Sequence, residues 1–88
     1  MYPSITNVRP LPEYRLEIEF ETGETKIFDM KPYLEIGMLQ QLKNESIFKT
    51  VHVSFDAIEW ETGIDFDPEV LYSEGVTKMK DKSGSVAK

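Results

Sequence analysis

The clearest pattern in the chain is a strict alternation of apolar and charged residues at positions 13–21. The apolar members are Tyr14, Leu16, Ile18 and Phe20, and every residue between them is Glu or Arg. Because successive side chains of a β-strand point to opposite faces, this period of two predicts a strand with one buried face. The charged face, which carries Glu17 and Glu19, is expected to meet water or a partner.

A second apolar stretch follows a glycine-containing turn, and it predicts a strand at residues 25–29 that pairs with the first as an antiparallel hairpin. Two registers are open. A two-residue turn pairs Ile18 with Ile27, whereas a three-residue loop pairs Ile18 with Phe28. We prefer the second register, because it keeps the larger Phe28 inside.

The segments on either side of the hairpin predict one more strand and a helical turn. Residues 5–9 favour a strand that Pro10 and Pro12 should stop, because proline cannot donate a ladder hydrogen bond. After the hairpin, residues 29–34 predict a short helical turn that Gly37 closes.

Two short helical pieces are predicted next. In the first, Met38, Leu39 and Leu42 are expected to share one side. The second covers residues 45–51, and Asn44 is a suitable cap for its first turn.

The C-terminal part predicts strands at residues 52–55 and 57–60, then a turn into an apolar run at 64–66. The order cap, proline, acid and apolar run predicts a helix that begins at Asp67 and Pro68. Strands, short helices and further strands indicate an α+β fold, a small antiparallel sheet of hairpin-connected strands with short helices.

Length and composition restrict the organisation of the chain. Its 88 residues predict a single domain at residues 1–77, followed by a disordered basic tail at residues 78–88. No cysteine is present, which excludes disulfides, thiolate metal sites and cysteine nucleophiles and is compatible with the cytoplasm. No apolar run approaches the ~20 residues of a membrane span, and no secretory signal opens the chain.

The charge is unevenly distributed. Residues 1–77 hold six Lys and Arg against fifteen Asp and Glu, a net charge of −9, whereas residues 78–88 carry +3. An acidic body repels phosphate backbones, so nucleic-acid binding by the folded part is disfavoured. A basic protein partner would instead be attracted, and the small size is also compatible with a homo-oligomer.

Few residues suggest chemistry. Asp65, Asp67 and Glu69 are a metal-ligand candidate, since Ca²⁺ and Mg²⁺ bind several carboxylate oxygens, but helix capping and the helix dipole already account for Asp67 and Glu69. His52 and Ser54 share a strand face, yet no glycine pattern of a nucleophile elbow surrounds Ser54. We therefore expect no cofactor and no catalytic residue.

The aromatic residues are expected to lie mostly in the core, because large rings dominate the burial available to a small domain. Trp60 and Tyr72 are the better interface candidates if any ring is exposed, since both residue types are enriched at binding hot spots. Together with Glu17 and Glu19 they form the predicted binding residues.

The chain carries an ordered set of motifs: VRPLP at 8–12, YRL at 14–16, FETGE at 20–24, FDMKPYL at 28–34, Phe48, IEW at 58–60 and GIDFDPEVLY at 63–72. This set resembles the small bacterial family catalogued as domain of unknown function 2442. The resemblance implies a compact α+β fold in a bacterial cytoplasm and supplies no catalytic residues. Some relatives carry a helix-turn-helix, which is missing here, and members are often encoded beside a small partner in what looks like a toxin–antitoxin arrangement.

The leading hypothesis is a non-enzymatic protein-binding module, an acidic antitoxin-like partner of a small basic toxin-like protein. The alternative is a metal-dependent or hydrolytic enzyme that uses the acidic cluster near Asp65 together with His52.

Overall fold

The computed structural model describes residues 2–77, so the predicted tail lies outside the described residues. Two antiparallel sheets and a few short helices make up this part of the chain, which confirms the predicted α+β fold and divides its strands between two sheets. The first sheet has the order β1-β2-β3-β7, formed by β1 (Ile5–Leu11), β2 (Arg15–Phe20), β3 (Thr25–Asp29) and β7 (Val76–Thr77). The second has the order β4-β5-β6, formed by β4 (His52–Ser54), β5 (Ala57–Glu59) and β6 (Asp65–Phe66).

Both α-helices begin at the caps that the sequence predicts. The Asn44 side chain accepts a hydrogen bond from the backbone N–H of Ser46 at 2.9 Å, and the Asp67 side chain accepts one from Glu69 at the same distance. These bonds satisfy amide groups that have no partner inside the first turn. The helices are α1 (Glu45–Phe48) and α2 (Pro68–Glu74), preceded by two 3₁₀ helices at Lys31–Tyr33 and Gly37–Lys43.

The hairpin of β2 and β3 adopts neither predicted register. Ile18 lies opposite Lys26, two positions away from the preferred pairing with Phe28. The loop occupies residues 21–23, one position earlier than expected, and Gly23 closes it with a φ of +94° that glycine adopts without strain. A shift of two residues keeps every side chain on its face, so Phe28 is buried as predicted.

Two boundaries before the helices differ from the sequence prediction. β1 runs through Pro10 and ends at Leu11, which is tolerated because β1 is an edge strand of its sheet. Gly37, with a φ of +46°, begins the second 3₁₀ helix and does not close the first. With about three residues per turn, this helix aligns Leu39 with Leu42 and turns Met38 away, so that Met38 is exposed.

One hydrophobic core lies between the two sheets and the helices. The sheets contribute through β2 and β5, and α2 covers the core with Leu71, which is fully buried. Since strands of both sheets and both α-helices contribute to this core, burial of apolar area fixes the second sheet on the first. The buried members are Ile5, Val8, Leu16, Ile18, Phe20, Phe28, Met30, Leu34, Leu42, Phe48, Val51, Ile58, Trp60, Ile64 and Leu71.

Trp60 connects the end of β5 to α1. Its indole N–H donates a buried hydrogen bond of 3.0 Å to the carbonyl of Phe48, and the two rings are 6.3 Å apart. The turn after Trp60 is closed by a hydrogen bond of 2.8 Å from the Gly63 N–H to the Trp60 carbonyl, and Gly63 has a φ of +92°. The indole therefore satisfies a polar group that would otherwise be buried without a partner.

Replacement of Trp60 by Phe should destabilise the fold. Trp60→Phe leaves the Phe48 carbonyl unpaired and opens space in the core, and the unpaired carbonyl alone should lower the free energy of unfolding by about 1–3 kcal/mol. Urea denaturation followed by circular dichroism measures this change. Tyr33→Phe is the control, because it also removes one hydrogen bond, an exposed one to Glu74. Equal losses in the two variants would contradict the role given to the indole.

Candidate functional site

The outer face of the first sheet is less open than its alternating charges suggest. Glu17 is only 6% exposed, because it lies opposite Arg9 of β1 and forms an ion pair with the Arg9 guanidinium. Glu19, on the same face, is half-buried. Of the two predicted binding residues here, Glu17 contributes to the contact between β1 and β2, and its carboxylate is covered from solvent.

The two predicted aromatic binding residues occupy different environments. Trp60 is 1% exposed and belongs to the core, so its ring is covered from any partner. Tyr72 of α2 is half-buried, and its ring lies 5.0 Å from that of Phe20 in an edge-to-face arrangement. The Lys26 ammonium lies 3.9 Å from the centre of the Tyr72 ring and donates a hydrogen bond to the Tyr72 carbonyl. Tyr72 therefore holds α2 against β3.

A charged group completes this contact. The Tyr72 hydroxyl donates a hydrogen bond of 2.8 Å to the Glu24 carboxylate. That bond, helped by a second one from the Thr22 hydroxyl, holds the pKa of Glu24 below its ordinary value of 4.5. The same bond raises the pKa of Tyr72 above 10.0, because ionisation would place two negative charges side by side. Both shifts show that the neutral phenol and the ionised carboxylate stabilise each other.

The metal-ligand candidates have separate structural surroundings. Asp67 caps α2, Glu69 lies in the first turn of that helix, and Asp65 is an exposed residue of β6. Within residues 2–77, no group of three or more His, Asp or Glu side chains is arranged to hold a metal ion.

His52 is part of the second sheet. Its Nε2 lies 3.4 Å from a carboxylate oxygen of Glu59, the residue opposite on β5, and its Nδ1 lies 3.0 Å from the carbonyl of Thr50. Among residues 2–77, no hydrogen bond joins Ser54 to His52 or to an acid. The arrangement is a cross-strand pair on the surface and lacks the contact that activates a serine nucleophile.

The most distinctive charge pattern belongs to the segment of residues 50–77, which we call the acidic segment. It contains the second sheet and α2, and it has no Lys or Arg. Its seven acids are Asp56, Glu59, Glu61, Asp65, Asp67, Glu69 and Glu74. Four of these have structural roles: Glu59 pairs with His52, Asp67 caps α2, Glu69 complements the dipole of α2, and Glu74 accepts the Tyr33 hydroxyl.

The other three acids of this segment are exposed and free of such roles. Asp56, Glu61 and Asp65 have no side-chain partner within the described part of the chain. Asp56 and Glu61 lie beyond opposite ends of β5 and Asp65 begins β6, so the carboxylates are spread along the second sheet. Spread carboxylates create a negative potential over an area, which suits attraction of a basic surface.

One exposed aromatic residue in this segment departs from the sequence prediction. The sequence predicts that Phe55 ends a strand, but β4 stops at Ser54 and Phe55 is 97% exposed. The pairing of Ser54 with Ala57 leaves Phe55 and Asp56 alone in the turn. The sequence contains one signal for this turn. The apolar runs on either side of Asp56 are short, and a hairpin between them needs two residues for its turn, so Phe55 is left without a partner in the opposite strand.

Residues 5–77 match the model of a family described as "Protein of unknown function (DUF2442)". No curated protein and no solved structure matches the chain. In the part of the chain that the structure describes, no helix is both long enough and apolar enough to cross a membrane.

The contact between Tyr72 and Glu24 should make stability depend on pH in a defined direction. Because the folded pKa of Glu24 lies below its unfolded value, the stabilisation is complete above pH 4.5 and is lost as the pH falls through the lowered folded pKa. Tyr72→Phe removes the main cause of the shift. The difference in melting temperature between wild type and Tyr72→Phe should therefore be largest above pH 4.5 and shrink as the pH falls towards about pH 3.

The matched control introduces Tyr72→Phe into a Glu24→Gln chain. There the substitution should change the melting temperature by the same amount at every pH, because no carboxylate is left to titrate. A pH-independent difference in the chain that keeps Glu24 would contradict this assignment.

Proposed function

The chain belongs to the DUF2442 family, and we propose that it is a non-enzymatic protein-binding module whose acidic segment docks a basic partner protein. The observation that carries this proposal is the exposure of three unpaired carboxylates, Asp56, Glu61 and Asp65, in a segment without Lys or Arg. Charges of one sign on one surface steer a partner of opposite charge towards it.

The whole body reinforces this attraction. Residues 1–77 have a net charge of −9, so a basic protein meets a favourable field before it makes contact. Exposed charges mainly increase the association rate and select the partner, whereas each surface ion pair adds little affinity. At about 0.1 M salt the field decays over roughly 10 Å, so association should slow as salt rises.

Other classes of partner fit this surface less well. Nucleic acids and anionic lipid headgroups carry phosphates, which the acidic segment repels. A second copy of the chain brings the same excess of carboxylates and is repelled in the same way. A basic protein surface is the one common partner that gains from each of these charges.

The finer proposal concerns the identity of the partner. The resemblance described above implies that members of the family are often encoded beside a small partner protein. We propose that the partner here is a small, basic, toxin-like protein and that this chain is its acidic, antitoxin-like counterpart. The reading frames next to the gene in its genome provide a direct observation, because an acidic or absent neighbour would remove the support for this form of the proposal.

Two sets of charge variants test whether the partner docks on the acidic segment at Asp56, Glu61 and Asp65, which we call the docking surface. The first set, Asp56→Asn, Glu61→Gln and Asp65→Asn, removes the three unpaired carboxylates of the acidic segment. It should lower the association rate constant for the basic partner by about tenfold at low salt, and it should flatten the dependence of that rate on salt. Stopped-flow or surface plasmon resonance at several salt concentrations measures both quantities on the protein that the immobilised chain captures from the source cell.

The second set, Glu13→Gln, Glu35→Gln and Glu45→Gln, changes the net charge by the same amount at exposed positions outside the acidic segment. It should slow association much less. Equal slowing by both sets would show that net charge, and not the acidic segment, attracts the partner. If no protein is captured specifically at any salt concentration, the proposed function is wrong.

A further inference from the structure

We propose that Phe55 is the anchor of the docking surface and that its ring inserts into an apolar socket of the partner whose rim carries Lys or Arg. This inference rests on the proposed function and adds the residue that holds the complex together. Carboxylates attract a partner, but a lasting complex needs apolar area removed from water, usually at a few residues.

Phe55 has no packing role within the described residues. It is 97% exposed, whereas every other aromatic side chain of residues 2–77 is buried or half-buried. It takes no part in the hydrophobic core or in any ring contact of this part of the chain. The fold therefore gains no apolar burial from this ring.

The backbone of Phe55 is also unfavourable for its residue type. Phe55 is the first residue of a two-residue hairpin turn and has a φ of +57°, while Asp56 has no positive φ. A positive φ at this position alone is the sign pattern of a type II′ turn, in which glycine is favoured. A residue with a Cβ is strained in this region of φ, so Phe is an unfavourable residue for this position of the turn.

Phe55 is thus unfavourable in two ways, because its apolar ring is exposed and its φ is positive. Such departures concentrate at functional positions. The hairpin gives the ring a rigid base, because β4 pairs with β5 directly below the turn, and Ile58 of β5 is fully buried. A phenylalanine has only two side-chain torsions to fix on binding. The ring is therefore presented in advance at a small cost in conformational entropy.

The surroundings of Phe55 define the chemistry of the partner. Asp56 follows it in the same turn, exposed and without a side-chain partner in residues 2–77. The whole acidic segment has no Lys or Arg to balance that carboxylate. A socket rimmed by Lys or Arg would pair with Asp56 while its apolar floor receives the ring, which is the arrangement of an apolar hot spot inside a polar rim.

The decisive variant is Phe55→Asn. Asn accepts a positive φ more readily than Phe, so the variant should fold with an unchanged or higher melting temperature. Its affinity for the basic partner should fall by about thirtyfold or more, the loss expected for a hot-spot residue. Phe55→Trp should bind within about threefold of wild type, because it keeps an aromatic anchor in the same turn. Isothermal titration calorimetry measures the affinity for the purified basic protein that the immobilised chain captures from the source cell. Differential scanning calorimetry measures the stability of the variant.

The matched control is Met38→Asn, which removes another exposed apolar side chain, 66% exposed, from the second 3₁₀ helix. It should leave the affinity within about threefold of wild type, because only an anchor residue contributes strongly. Equal losses in Phe55→Asn and Met38→Asn would overturn the inference in favour of general apolar adhesion.

The remaining outcomes separate this inference from the proposed function. If Phe55→Asn binds as tightly as wild type while the charge variants still slow association, the anchor role of Phe55 is wrong and the proposed docking on the acidic segment is retained. If sedimentation shows wild-type dimers that Phe55→Asn dissociates, the occupant is a second copy and the inference is overturned. If wild type binds no protein at all, the proposed function fails and the anchor fails with it.

Discussion

The burial of Trp60 is the contact on which the rest of the structure depends. Its ring lies against Phe48, and Phe48 in turn makes an edge-to-face contact of 5.3 Å with Tyr14 in the turn between β1 and β2. This row of three aromatic rings joins the first sheet, α1 and the second sheet. Since the chain has no cysteine, apolar packing of this kind, together with the buried indole hydrogen bond, supplies the cohesion that a disulfide gives other small domains.

The same packing separates the aromatic residues from the acidic residues in space. Aromatic rings fill the core, whereas the acids of the second sheet and α2 are left on the outside. Some acids support the fold, as Asp67 does at the start of α2 and Glu59 does opposite His52. The acids without such roles add no side-chain hydrogen bond or ion pair within the described residues, and like charges on one segment repel one another. Their segregation is the observation on which the proposed docking of a basic partner rests.

Charge and apolar contact have complementary roles in the proposed docking of a basic partner. In the proposed complex, the exposed carboxylates would act at a distance and select which surfaces approach, whereas Phe55 would act only on contact. Because a two-residue turn on a packed sheet holds this ring, the proposed anchor would need little ordering on binding. The strain at Phe55 is tolerated because the pairing of β4 with β5 fixes the turn on both sides.

The sequence by itself determined the features that depend on neighbours in the chain: the alternation in β2, the caps at Asn44 and Asp67, and the α+β class with its family resemblance. Tertiary structure alone decided the features that depend on distant partners. Glu17 is covered because Arg9 lies opposite it in another strand, and the indole N–H of Trp60 can be buried because the Phe48 carbonyl accepts its hydrogen bond. The exposure of Phe55 follows from strand register. Local patterns specify faces and ends of elements, but register and burial are set by packing between segments far apart in the chain.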